Sequence, residues 1–139
     1  MDKALNYLSL ARKGGLAELG EEPVGDITRT GKGYLVLVAS DASDHTWRRA
    51  KSYVAGTEQQ CIRLKFTREE MGFAVGRTSL AIAAITDVQL ALAMVNALGE
   101  PEKHKAVTEV LTAKAEKARK RQAEAKAHQR NVRKGNVKK

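Results

Sequence analysis

An α/β fold, a three-layer α/β/α sandwich around a mixed four-stranded sheet with a basic C-terminal helical extension, follows from three observations. Strand-like and helix-like segments alternate along residues 1–99, two of the strand segments are apolar at nearly every position, and positive charge is concentrated after residue 99. A strand that is apolar on both sides has to be covered on both sides, so helices must lie above and below the sheet.

The first segment places Ala4, Leu5, Leu8 and Ala11 at helical spacing, one buried stripe of an amphipathic helix. Arg12 and Lys13 followed by Gly14-Gly15 give it a basic last turn and a glycine stop. Leu16–Leu19 is short enough for an edge strand. A second helix begins at Gly20, with Glu21 and Glu22 where the helix dipole favours negative charge, and Thr30-Gly31-Lys32-Gly33 is a turn. YLVLVAS, residues 34–40, is β-rich and continuously apolar, a strand buried on both faces. Asp41–Asp44 supplies loop and cap residues for a helix through Trp47, Ala50, Lys51 and Val54 that stops at Gly56.

CIRLKF, residues 61–66, alternates, with Ile62, Leu64 and Phe66 on one face. Thr67 and Glu70 have capping-box spacing and open a short helix that ends at Gly76, and Arg77-Thr78-Ser79 is a loop. LAIAAIT, residues 80–86, is the second fully apolar strand, and Asp87 caps a helix to Leu98. Gly99-Glu100-Pro101 marks the boundary between a domain at 1–99 and a tail at 100–139, with Pro101 suited to a helix start. Val107, Val110 and Leu111 form a brief apolar stripe that can dock on the domain. Beyond it alanine, glutamate, lysine and arginine dominate, Glu116 is spaced to pair with Lys120, and fraying is expected from about Asn131.

Residues 1–99 carry 12 basic and 11 acidic side chains, a net charge of +1, whereas residues 100–139 carry 13 and 5, a net of +8. The tail therefore makes the field, and a field of that sign favours a polyanion. One cysteine, Cys61, excludes an intrachain disulfide and behaves as a small hydrophobe. Signal-peptide features are absent from the N-terminus, and no apolar run reaches the roughly 20 residues of a membrane span, so a cytoplasmic protein is expected. His45, His104 and His128 are too scattered for a metal site, and no phosphate loop or nucleophile motif occurs, so neither an enzyme nor a metal or cofactor is expected.

ALNYLSLARKGGL, the Gly20-Glu21-Glu22 turn, YLVLVASDAS, KFTREEMGFAVGR and LAIAAITD together resemble the kink-turn RNA-binding ribosomal protein family, which includes the archaeal large-subunit protein and a bacterial YlxQ-like branch. The resemblance spans most of residues 4–98 and implies an α/β/α sandwich that binds RNA. The family's contacts come from the helix after the first short strand and the loop before the last strand. The archaeal motif there is glycine, any residue, asparagine, glutamate, two of any residue, then lysine. Gly20 matches, but Glu22, Pro23 and Asp26 stand at the asparagine, glutamate and lysine positions, so the side chains that read sheared G·A pairs are missing. Gly20-Glu21-Glu22-Pro23-Val24 is closer to the YlxQ-like branch.

On this reading Glu21 and Glu22 would accept hydrogen bonds from an unpaired guanine, although two carboxylates at a helix start also simply complement its dipole. Arg12, Lys13, Arg29 and Lys32 are expected to flank that patch as phosphate contacts. Arg77, Thr78 and Ser79 occupy the second contact loop. Trp47 is either a base-stacking residue or a helix-to-sheet packing residue. In the tail, Lys117, Arg119, Lys120, Arg121, Arg130, Arg133 and Lys134 would contact phosphates. A membrane-surface helix is excluded because from Thr112 to Asn131 the apolar face offers only alanine. The expected partner is RNA, ribosomal in origin, bound by a monomer; the alternative is a protein-interaction module for the ribosome or a translation factor, and the remaining one a solubilising helix with no partner.

Overall fold

A computed structural model of the chain describes the backbone of residues 1–138 and the side chains of residues 1–129. Helix α1 (Lys3–Lys13) starts at Asp2, whose carboxylate accepts a hydrogen bond from the Ala4 N–H at 2.8 Å, and buries Ala4, Leu5, Leu8 and Ala11. These are the four residues of its predicted stripe. Strand β1 (Ala17–Leu19) leads into α2 (Glu21–Arg29), β2 (Leu35–Val38), α3 (Asp44–Val54), β3 (Gln60–Arg63), α4 (Arg68–Val75), β4 (Ile82–Ile85), α5 (Val88–Ala97) and α6 (Lys105–Lys138).

The sheet order is β1-β4-β2-β3, with β4 antiparallel to both of its neighbours and β2 parallel to β3. The sheet is therefore mixed and four-stranded, as expected. Every residue of β2 and β4 is buried, because α2 and α3 cover one face while α1, α4 and α5 cover the other. The alternating segment 61–66 forms regular ladder only as far as Arg63. Its apolar face stays inward, however, and the chain keeps pairing with the end of β2: Leu64 N–H donates to the Val38 carbonyl (2.7 Å) and Ser40 N–H to the Phe66 carbonyl (2.8 Å).

Helix starts follow the side-chain chemistry. Ser43 caps α3, Asp87 caps α5 through the Leu90 N–H (2.9 Å), and Thr67 with Glu70 forms the complete capping box of α4. The last helix starts later than its sequence suggests, at Lys105 rather than at Pro101, after a turn in which the His104 N–H donates to the Glu100 carbonyl (3.2 Å). It docks on α5 further than the Val107–Leu111 stripe. His104, Leu111 and Ala115 are buried, Val107 and Ala118 pack against the core, and Gln89 donates from Nε2 to the Ala115 carbonyl (3.0 Å). Alanine carries the last two contacts because its small side chain lets α6 lie close to its neighbour. The expected Glu116–Lys120 pair does not form; Lys114 instead reaches Glu58 at 2.6 Å, a contact between the tail and the domain. The backbone is helical to Lys138, past Asn131, where fraying is expected from composition.

Candidate nucleic-acid interface

Two segments far apart in sequence meet at the start of β4. Gly20 has φ +98°, a left-handed conformation that a side chain would strain, and it turns the chain from β1 into α2 while its N–H donates to the Ile82 carbonyl at 3.0 Å. The Arg77-Thr78-Ser79 loop enters β4 from the same end, so both segments that the family resemblance selects lie together there. All three loop side chains are exposed.

Gly72, which sequence alone did not single out, sets the position of this loop. The Arg77 N–H donates to the Gly72 carbonyl at 2.8 Å, and a Cβ on Gly72 would lie 2.8 Å from both the Arg77 carbonyl oxygen and the Ser79 nitrogen. The loop thus sits directly on the backbone of α4. A close approach of this kind leaves no trace in hydrophobic periodicity. Asp41 adds a brace, accepting a hydrogen bond from the Arg68 N–H at 2.8 Å.

The two carboxylates at the start of α2 have different surroundings. Glu21 accepts from the Thr46 hydroxyl (3.1 Å) and from Arg49 (3.3 Å), so it ties α2 to α3. Glu22 is exposed. Further along α2, Asp26 and Arg29 form a surface ion pair at 2.7 Å.

Arg29 flanks the Glu21–Glu22 patch, lining a recess with both carboxylates and Asp26, but Arg12, Lys13 and Lys32 do not. The turn after α1 is fastened to the far end of β4, where Ala17 pairs with Ile85 and the Thr86 N–H donates to the Leu16 carbonyl (2.8 Å). Arg29 ends α2, and Lys32 precedes β2, which also starts opposite Ile85. The nine residues of α2 separate the two ends by about 14 Å. Arg12, Lys13 and Lys32 are exposed at that far end. The reason is topological: α1 and α2 both run down the length of the sheet, so Arg12, Lys13 and Lys32, at or beyond their C-termini, are carried away from Gly20.

The tail residues join the far end as well. Because α6 runs back along α5, it passes Glu58 and Tyr34 before leaving the domain, and Lys117, Arg119, Lys120 and Arg121 are exposed on it. The side chains of Arg130, Arg133 and Lys134 lie outside the described residues. The charge is therefore divided. At the Gly20 end, Arg49 and Arg68 face carboxylates, Lys65 donates to the Leu98 carbonyl (3.1 Å), and Arg77 stands exposed. The basic field belongs to the opposite end.

Trp47 is a packing residue approached by two cations, with the Arg63 guanidinium 5.2 Å and the Lys51 ammonium 5.6 Å from its ring centre. Burial pushes the Cys61 thiol up to about 12, with Lys51 and Arg63 opposing, so it stays neutral. Phe73 is 75% exposed and lines a groove with Leu5, Glu69, Glu70, Arg77 and Thr78, a feature that the apolar pattern of α4 conceals. Among the described residues no group of histidine, cysteine and acidic side chains is arranged to hold a metal, and no helix is long and apolar enough to cross a membrane.

The architecture defines an α/β protein with a mixed four-stranded sheet and a C-terminal helix. Solved structures with this fold include a protein of unknown function from Bacillus halodurans, 23% identical with a TM-score of 0.67 over 72% of this chain and 100% of that one. They also include the Giardia lamblia 15.5kD RNA-binding protein, 18% identical with a TM-score of 0.53 over 71% of this chain and 84% of that one. Both likenesses concern the fold. No protein-family model and no curated protein matches the chain.

Proposed function

We propose that this chain is a non-enzymatic RNA-binding protein, ribosomal or ribosome-associated, of the YlxQ-like branch of the kink-turn family. The observation that carries the reading is the meeting of the Gly20 turn and the Arg77–Ser79 loop at the start of β4, on a fold shared with an RNA-binding protein. Arg77 and the short hydroxyls of Thr78 and Ser79 suit a phosphate clamp, which positions RNA without reading its sequence. Glu22 offers the remaining carboxylate for a base edge, since Glu21 is engaged by Thr46 and Arg49. The side chains at Glu22, Pro23 and Asp26 do not support recognition of sheared G·A pairs. The basic tail supplies affinity through phosphates.

Binding to fragmented ribosomal RNA, measured between about 50 and 200 mM salt, tests this reading. A protein touching several phosphates loses roughly 10³-fold or more in affinity over that range. Affinity that does not respond to salt, or crosslinking in cells that recovers no RNA, overturns it. The exposed Phe73 in its groove with Glu69 and Glu70 favours a second reading, a docking module for a translation or assembly factor. In that case Phe73→Ala abolishes recovery of the ribosomal partner while leaving RNA affinity unchanged.

A further inference from the structure

The docked part of α6 holds its cations against the domain in a fixed register. Leu111 and Ala115 are fully buried, Gln89 binds the Ala115 carbonyl and Lys114 binds Glu58, so the next turn of the helix cannot rotate freely. That turn places Lys117, Ala118 and Arg121 over Tyr34 and Val88, where they enclose a recess of about 120 Å³. Three cations on one helix, Lys114, Lys117 and Arg121, and the phenol just before β2 therefore line one small space.

The acidic groups nearby are already engaged. Glu58 is held by Lys114, whose hydrogen bond and charge keep the carboxyl below its usual range, and Asp87 caps α5 through the Leu90 N–H. Lys117 and Arg121 form no ion pair among the described residues, and the Tyr34 hydroxyl forms no hydrogen bond among them. Lys32, two residues before Tyr34, is exposed at the same end. The recess thus carries an excess of positive charge, with three cations lining it and the neighbouring Glu58 carboxylate bonded to Lys114, which is the chemistry that receives an anion.

We propose that this recess is a second RNA-contact site, in which one backbone phosphate is held by Lys117, Arg121 and the Tyr34 hydroxyl. The inference rests on the RNA-binding reading above. It adds that RNA is held at both ends of the sheet, so the ligand extends at least the length of α2, about 14 Å. The root of the tail is then a built contact rather than a flexible tether, and Tyr34 couples it to the domain. Lys117 and Arg121 fall one turn apart on the helix, close enough to converge on a single phosphate. Lys114 is not a member, because Glu58 occupies it.

The test uses full-length protein and fragmented ribosomal RNA, with affinity read against salt concentration. Lys117→Ala with Arg121→Ala removes the charge, and the salt slope becomes shallower by roughly 0.7 to 0.9 for the one phosphate released. Tyr34→Phe keeps the ring that packs against the core and removes only the hydroxyl. It lowers affinity by about tenfold with no change of slope. Arg77→Ala serves as the reference for the Gly20 end, and thermal melting verifies that each variant is folded. If wild-type protein binds no RNA, the functional reading fails and this site with it. If wild-type protein binds and Arg77→Ala weakens it, while Tyr34→Phe and the double variant keep both affinity and slope, only the second site is overturned. A shallower slope in the double variant with wild-type affinity in Tyr34→Phe also overturns it, because the cations would then be acting without the recess.

Discussion

Replacing Gly72 by alanine puts a methyl group into backbone that cannot bend away like a side chain. The new Cβ lies 2.8 Å from the Arg77 carbonyl oxygen, 2.8 Å from the Ser79 nitrogen and 2.9 Å from the Ser79 Cα. Restoring ordinary contact at 3.4 Å requires the loop to retreat from α4 by about 0.6 Å. That movement strains the 2.8 Å hydrogen bond from the Arg77 N–H to the Gly72 carbonyl. Alanine gains about 1 kcal/mol of helix propensity over glycine, whereas overpacking of this kind costs about 1–3 kcal/mol. The balance is a net loss of about 1 kcal/mol, or a fall in Tm of roughly 3–5 °C for a chain of this length. RNA affinity should fall by about tenfold, the scale of one weakened charge-assisted hydrogen bond, because the displaced residues are Arg77 and Ser79. Differential scanning fluorimetry and fluorescence anisotropy measure the two effects separately. A variant that melts higher than wild type and binds equally well would refute the reasoning, since the loop would then not be seated on α4.

Two further perturbations concern the far end of the domain and the docking of α6. Gln59 is buried and accepts from the Gly33 N–H (2.8 Å) while donating to the Thr28 carbonyl (3.0 Å), which also accepts from the Gly31 N–H (3.1 Å), so Gln59→Leu strands the Gly33 N–H and should cost about 1–3 kcal/mol in urea unfolding; a loss under about 0.5 kcal/mol contradicts this. Burial holds the His104 imidazole below its ordinary value of 6.5, with Glu100 opposing, so the folded protein binds this proton less readily than the unfolded chain does. The associated stability is complete above pH 6.5 and is lost as pH falls from 6.5 through the lowered folded-state value. His104→Leu removes that dependence and a buried Nε2 that has no hydrogen-bond partner. In urea midpoints at successive pH values the difference between variant and wild type should therefore shift in the variant's favour as pH falls below 6.5, and a constant difference at all pH values rules the account out.

Much of the fold is legible in the chain because its signals are local. Capping at Thr67 and Glu70, the buried stripe of α1 and the two apolar strands each depend on residues a few positions apart, and the structure places all of them as their spacing implies. The docking of α6 was partly legible: Leu111 announces it, but Ala115 and Ala118 do not, since alanine reads equally well as a helix former in solvent. The candidate site was less legible. Gly20 is legible through its place in the motif and Arg77 through the loop that the resemblance selects, whereas Gly72 and Tyr34 matter only through what approaches them from elsewhere in the chain.

The basic residues show where the division falls. Their number, and their concentration after residue 99, belong to the sequence by itself, as do the segments that become strands and helices. Which of those charges share a surface was decided only by the tertiary structure. Proximity in sequence to Gly20 suggests that Arg12, Lys13, Arg29 and Lys32 flank it; Arg29 does share a recess with Glu21 and Glu22, but the chain carries Arg12, Lys13 and Lys32 to the opposite end of the sheet. There they join Lys117 and Arg121, 85 to 109 positions away in the chain, because α6 folds back along α5. Charge is a property of residues, whereas an electrostatic surface is a property of the directions in which rigid elements run.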